Sequence, residues 1–204
     1  PRGLPDAFIV GKKFIGKDNV ALILGDNFFY GQSLTNKLIE NSKLKNGAKI
    51  LLHKVSKPEL YGVAKIDKYK KIKQIKEKPK RKFSDLAVTG LYFFDNKVVN
   101  YAKKLKPSKR GEIEITDLLN IYKSRNSLKA DIIGRGAAWL DTGSIEDFYK
   151  TSAFVSSIEN RQGLKIACLE EISLHNRWIG KNEILNAIKF YGKCPYSVYL
   201  KKLI

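Results

Sequence analysis

Two aspartates in this chain stand where an apolar run gives way to a turn. Asp26 follows Val20-Ala21-Leu22-Ile23-Leu24-Gly25, and Asp141 follows Ala138-Trp139-Leu140 and precedes Thr142-Gly143. A carboxylate at a strand end offers hard, anionic oxygens. A pair of them suits Mg²⁺, which takes one or two protein carboxylates and leaves positions for water and substrate phosphates. Such an ion would neutralise charge in phosphoryl or nucleotidyl transfer. The competing reading is two unrelated turn aspartates, since turns favour these residues. Glu77-Lys78-Pro79 is the second candidate. Lys78 is a point cation suited to a phosphate, and Glu77 is an acceptor suited to sugar hydroxyls. In so lysine-rich a segment, a lone Lys-Pro is also ordinary surface. Tyr61-Gly62 and Val88-Thr89-Gly90 would let backbone amides approach a ligand closely, or they pack as plain strands. Trp139 either stacks on a sugar or fills the core. Arg110 either clamps a phosphate or faces water. His53 and His175 lie apart from any serine or cysteine pattern and are read as structural.

These residues need a scaffold, and the pattern supplies one. Val20 to Leu24 is an unbroken apolar run ending in Gly-Asp-Asn. It reads as a strand buried on both faces of a parallel sheet, with Gly25 allowing a sharp turn. In such sheets ligands bind outside the carboxyl ends of the strands. Ahead of it, Ala7, Phe8, Val10 and Phe14 form the apolar side of a helix that Asp6 supports. Behind it, a helix turns Leu34, Leu38 and Ile39 inward. Strands follow at Ile50–Val55 and Ala87–Phe94, with a two-stranded ribbon between them that Pro79 ends. A helix carries Val98, Val99, Ala102 and Leu105, another carries Leu118, Leu119 and Tyr122, and Ala130–Ile133 is a short strand. Helices alternating with strands predict a mostly parallel α/β sheet. Ser144-x-x-Asp147 is a capping-box pattern at the head of a long helix with Ile145, Phe148, Tyr149 and Val155 toward the core. Short helices follow at Glu170–Trp178, Lys181–Tyr191 and Tyr196–Leu203. The expected division is an α/β domain over 1–160 and a helical segment over 161–204.

Composition limits the classes. An apolar content of 43% over 204 residues is ample for a core. No run approaches the roughly 18 apolar residues of a membrane span, and the first residues do not read as a signal peptide. Cys168 and Cys194 are too few for a disulfide scaffold, so a reducing cytoplasm is the expected home. The chain begins at Pro1 and contains no methionine, which suggests a fragment or a processed piece. The net charge of +19 raises the question of nucleic acid or another polyanion. With no zinc-ligand spacing and no basic-aromatic signature, lysines spread over solvated faces is the favoured reading. The densest patch is Lys65 to Lys82.

In order along the chain come Pro1-Arg-Gly-Leu, Leu24-Gly-Asp-Asn-Phe-Phe-Tyr-Gly31, Tyr61-Gly-Val, Glu77-Lys-Pro79, Val88-Thr-Gly-Leu-Tyr-Phe93, Arg110-Gly-Glu-Ile-Glu-Ile-Thr-Asp117, Gly134-Arg-Gly136 and Trp139-Leu-Asp-Thr-Gly143. Glu159-Asn-Arg-Gln-Gly-Leu-Lys165 extends the series. The whole chain resembles the glucose-1-phosphate thymidylyltransferases of the dTDP-rhamnose route, a sugar nucleotidyltransferase family. The resemblance implies a Rossmann-like three-layer α/β sandwich, here N-terminally truncated, with a C-terminal helical appendage. It implies in-line attack by the phosphate oxygen of glucose 1-phosphate on the α-phosphorus of dTTP, giving dTDP-glucose and pyrophosphate. By resemblance, Asp26 and Asp141 bind Mg²⁺ and Lys78 meets the sugar phosphate. Glu77, Gly62 and Val88 surround the glucose hydroxyls, Tyr61 and Trp139 shape that pocket, and Arg110 lies on the phosphate side. Pro1 and Gly3 lie beside the base. A homotetramer is implied, with a regulatory site for a dTDP-sugar near Tyr30-Gly31 and Glu171. The family's Gly-x-Gly-Thr-Arg-Leu nucleotide loop would precede Pro1 and is not in these residues. Little or no turnover is therefore expected of this chain by itself, and Val20–Leu24 is expected to present an unpaired edge. Asp6 stands where many relatives carry glutamine, which leaves base choice open. The alternatives are a uridylyl or cytidylyl transferase, a basic nucleic-acid-binding protein, and a catalytically dead remnant that still binds sugar phosphate.

Overall fold

The computed structural model describes residues 2–204; the reading of Pro1 lies outside them. The chain divides into two compact units, one ending at Gly143 and one running Ser144–Ile204.

The first unit is built on β6 (Leu86–Phe94), whose residues from Ala87 onward are all buried. Such a strand is covered on both faces, which explains its near-continuous apolar sequence. On one side it pairs antiparallel with β3 (Ala48–Lys54), and β3 pairs parallel with β7 (Leu128–Ile132). On the other side two strands share β6. The β4 strand (Gly62–Ile66) meets it at Leu86 and Ala87, and β1 (Val20–Ile23) meets it from Leu91 to Phe94. The β5 strand (Ile72–Glu77) completes the ribbon with β4.

The sheet is therefore mixed, with parallel pairing between β3 and β7 and antiparallel pairing elsewhere. The expectation of a mostly parallel sheet is corrected. So is the reading of Val20–Leu24 as buried on both faces. Val20 and Leu22 point into the core while Ala21 and Ile23 are exposed, as an outer strand with one covered face requires. Gly25 does not take a positive φ; the turn there closes through Asn27 N–H donating to Leu24 O at 3.1 Å.

Helices cover one face of the sheet. They are α1 (Asp6–Val10), α2 (Lys12–Ile15), α4 (Val98–Ala102) and α5 (Ile115–Ser124). Phe8, Val98, Leu118 and Tyr122 pack there on Ile50, Leu52, Tyr92 and Phe94. The expected single N-terminal helix breaks at Gly11, and Val10 and Phe14 lie in solvent while Phe8 and Ile15 are buried. Against the other face lie α3 (Leu34–Ser42) and a ribbon of β2 (Asn27–Gly31) with β8 (Ala137–Asp141), joined by a smaller core of Leu51, Leu91, Phe93 and Ile133. Leu38 packs there, but Ile39 is exposed. These are the three layers of the expected sandwich. The lysines of 65–82 stand largely in solvent along β4, β5 and the loop after them.

In the second unit α6 (Ile145–Gln162) starts at Ser144, whose Oγ accepts from Asp147 N–H at 3.0 Å, a cap worth about 1 kcal/mol. Ile145, Phe148 and Tyr149, expected to face the core, are exposed, and Thr151 is the buried residue of this helix. Helices α7 (Leu169–His175), α8 (Lys181–Tyr191) and α9 (Pro195–Lys201) enclose Cys168, Ile184, Tyr199 and Leu200. The sequence reading places the boundary after 160. In the fold α6 belongs with the later helices, and its Glu159 accepts from Lys165 Nζ and from Ile166 N–H.

Candidate active site

Because β4 and β1 share one edge of β6, they part in the middle. Val88 and Thr89 have no register partner on that edge among the described residues, and Gly90 O accepts from Leu24 N–H at 2.9 Å. A cleft of about 240 Å³ opens over this gap. Tyr61, Gly62, Glu77, Lys78, Val88, Arg110, Trp139 and Asp141 all line it. These positions come from five separate stretches of sequence, and the fold brings them together.

The ribbon of β4 and β5 sets one wall of the cleft. Gly62 pairs with Glu77. A methyl on Gly62 would stand 3.2 Å from Glu77 Oε2 and 3.0 Å from Thr116 Cγ2, so any larger residue here would press on the carboxylate. Lys78 closes the ribbon by donating its N–H to Tyr61 O at 3.0 Å. Its φ is +35°, a sparsely populated value for a residue with a side chain, and such strain concentrates at functional sites. Tyr61 meets Trp139 edge-on with ring centroids 5.0 Å apart, and His53 backs the same indole at 6.2 Å. Burial holds the His53 imidazole below its ordinary value, in keeping with a structural histidine.

Arg110 does not stand free. Its Nη1 lies 3.4 Å from Glu114 Oε1 and 3.9 Å from Glu77 Oε1, and its Nη2 lies 4.0 Å from Glu112. Glu114 is buried and also accepts from Ser108 Oγ at 2.8 Å. Burial pushes the Glu77 carboxyl above its ordinary value and Glu114 adds to this, while Arg110 and Lys78 pull it down. A sugar phosphate entering here would meet one guanidinium and one ammonium set among carboxylates.

Asp141 lines the cleft, whereas Asp26 does not line it and lies beside Asp141. Asn27 pairs with Asp141 across β2 and β8, and Asp26 O accepts from Thr142 N–H at 2.7 Å and Thr142 Oγ1 at 2.8 Å. A methyl on Gly143 would lie 3.1 Å from Asp141 Oδ1 and 3.8 Å from Asp26 Oδ2. Both carboxylates thus reach one small region. Among the described residues no group of three or more His, Cys, Asp or Glu could hold a metal. Two carboxylates beside open cleft fit Mg²⁺, which completes its shell with water and phosphate oxygens; they do not fit an ion needing an all-protein cage. Gly3 packs its backbone on Ile113 with φ +135°, while its neighbour Leu4 reaches the cleft. Asn27 and Glu114 also line the cleft; residue type alone marks neither, and the signal that could find them is their place in the Leu24–Gly31 and Arg110–Asp117 motifs.

The cleft thus combines a strained lysine, a carboxylate raised by burial and a nearby aspartate pair on a three-layer mixed α/β sheet. Residues 1–158 match the family described as nucleotidyl transferase, and the chain belongs to that family. Over its whole length it is 47% identical to a protein of Neisseria meningitidis named glucose-1-phosphate thymidylyltransferase, spanning 71% of that relative. Its fold is similar to a Bacillus anthracis structure assigned as a glucose-1-phosphate thymidylyltransferase, in complex with a sucrose (41% identity, TM-score 0.66). That match covers 74% of this chain and 60% of the other. It is also similar to a UDP-glucose pyrophosphorylase complexed with UDP-glucose (26% identity, TM-score 0.68), over 76% of this chain and 62% of that one. Among the described residues no helix is long and apolar enough to cross a membrane.

Proposed function

We propose that this chain carries the sugar-phosphate and metal side of a glucose-1-phosphate thymidylyltransferase, acting in the cytoplasm in dTDP-glucose and dTDP-rhamnose synthesis, as a homotetramer. The observation that carries the reading is the convergence of Glu77, Lys78, Arg110, Trp139 and Asp141 on one cleft, with Asp26 beside Asp141. Glu77 accepts hydrogen bonds from glucose hydroxyls, and Gly62 and Val88 let the sugar approach the backbone. Trp139 and Tyr61 form an apolar wall for a ring face. Lys78 holds the phosphate so that one of its oxygens lies in line with the α-phosphorus of dTTP, and pyrophosphate leaves opposite. Asp26 and Asp141 would hold Mg²⁺, which when bound would supply charge neutralisation for the transferring phosphate. The chain's own contribution is positioning and fixed charge, with no covalent step.

The described residues include no Gly-x-Gly-Thr-Arg-Leu stretch, so binding is the informative assay for this chain. Competition by dTDP-glucose and UDP-glucose against a fluorescent sugar nucleotide separates the thymidylyl reading from the uridylyl one. Preference for dTDP-glucose supports the proposal; preference for UDP-glucose replaces it, and indifference to both removes it. Sedimentation velocity checks the tetramer.

A further inference from the structure

One amide ties three walls of the cleft together. Asn27 Oδ1 accepts from Trp139 Nε1 at 2.6 Å and from Gly90 N–H at 3.0 Å, and Asn27 Nδ2 donates to Asp26 Oδ1 at 2.8 Å. The first bond reaches β8, the second reaches β6 at the point where β1 and β4 part, and the third reaches the Asp26 carboxylate. An amide side chain has one acceptor oxygen and two N–H donors. Here the oxygen is shared by two donors, so the orientation of the group is fixed. With Oδ1 held by Trp139 and Gly90, Nδ2 must point at Asp26.

The backbone is shaped around this amide. A methyl on Gly90 would lie 2.6 Å from Asn27 Oδ1, 2.6 Å from Cγ and 2.8 Å from Nδ2. All three nearest atoms belong to Asn27, so the lack of a side chain at Gly90 is what gives Asn27 its place. Asn27 is also the residue opposite Asp141 in the ribbon of β2 and β8. Its position is therefore set by the strand that supplies the other carboxylate.

We infer that Asn27 is a positioning residue. It fixes the Asp26 carboxylate relative to the Trp139 wall, and so sets where the metal and the sugar stand with respect to each other. This rests on the metal reading proposed above. Partners that hydrogen-bond a ligating carboxylate commonly account for about 10–100-fold in metal affinity.

The test uses Mn²⁺ as the probe, followed by the loss of its free EPR signal, and Trp139 emission in a Trp178→Phe background. Asp26→Asn and Asp141→Asn come first. If neither changes Mn²⁺ affinity, the metal reading fails, and the emission and stability arms below then decide whether Asn27 positions Trp139. If both weaken it, Asn27→Ala is expected to weaken it by about tenfold or more and to shift the Trp139 emission. Gly90→Ala, which alters neither Asp26 nor Trp139, is expected to reproduce both changes by displacing the amide. The double variant is expected to be no worse than either single one in Mn²⁺ affinity and in thermal midpoint. Unchanged Mn²⁺ affinity in Asn27→Ala, or full additivity with Gly90→Ala, overturns the inference. Should either variant lose the wild-type circular dichroism spectrum, Asn27→Asp takes its place, since it keeps both acceptor contacts and loses the donor. Its emission must match the parent while its Mn²⁺ affinity differs; the reverse pattern overturns the inference.

Discussion

Arg110 and Glu114 face each other at the cleft, with Nη1 3.4 Å from Oε1. The same guanidinium reaches Glu77 at 3.9 Å. Arg110→Ala would leave a buried carboxylate and a half-buried one without their shared cation. A fully buried pair broken this way costs about 3–5 kcal/mol, but Arg110 is itself partly in solvent, which screens the loss. The expected destabilisation is about 1–2 kcal/mol, read from urea midpoints. A purely phosphate-facing arginine would show no such loss.

Glu77 gives a pH signature. Burial, and then Glu114, raise its carboxyl above the ordinary 4.5. A group that holds its proton more tightly when folded contributes stability present in full below its unfolded value and lost as pH rises through its folded value. Stability should therefore fall across a window that opens at 4.5. Glu77→Gln should remove that fall. The difference between the two urea-midpoint profiles isolates this carboxyl from all others, and parallel profiles would contradict the assignment.

Gly62→Ala should act on the ligand more than on the fold. The added methyl meets Glu77 Oε2 at 3.2 Å and buried Thr116 at 3.0 Å. The carboxylate is the group freer to yield, because it borders the cleft. Glucose 1-phosphate affinity should drop by about tenfold, or about 1.4 kcal/mol, with a smaller change in thermal midpoint.

Lys78 combines strain with function. Its φ of +35° suits glycine better than lysine. Lys78→Gly should leave stability unchanged or raise it by up to about 1 kcal/mol, since relief of strain is offset by the looser unfolded chain. Affinity for glucose 1-phosphate should fall at least about tenfold. Calorimetric melting and titration together check the split.

Away from the cleft, Tyr122 offers a core test. Its hydroxyl donates to buried Asp95 Oδ1 at 2.8 Å, and Gly47 N–H donates to Asp95 Oδ2 at 2.7 Å. Burial and Asp95 push the phenol well above its ordinary value. Tyr122→Phe removes one donor from a buried carboxylate and should cost about 1.5–3 kcal/mol in urea unfolding.

Much of this was legible in sequence where the signal is local. Ser144 and Asp147 announce their cap three residues apart, and Lys181–Tyr191 shows its helix by period. Val20–Leu24 misled because an apolar run does not say whether both faces are covered. Ala21 and Ile23 are apolar yet exposed. The exposed Ile145, Phe148 and Tyr149 misled in the same way, since helical spacing marks a face and not what lies against it. The motif series named the residues that line the cleft, but not the split of β6 between β4 and β1 that creates it. Asn27 was invisible as a hub because its bond to Trp139 spans 112 positions. No local pattern encodes such a contact.

If this cleft holds a sugar phosphate through Glu77 and Lys78 with a metal at Asp26 and Asp141, binding must depend on all four residues. Isothermal titration of glucose 1-phosphate into the 204-residue chain, with Mg²⁺ present, measures this. One site per chain is expected, with affinity lowered about tenfold or more by Glu77→Gln and by Lys78→Ala and the Mg²⁺ dependence lost in Asp141→Asn. Binding that is absent in the folded parent chain, or equal in all these variants, would contradict it.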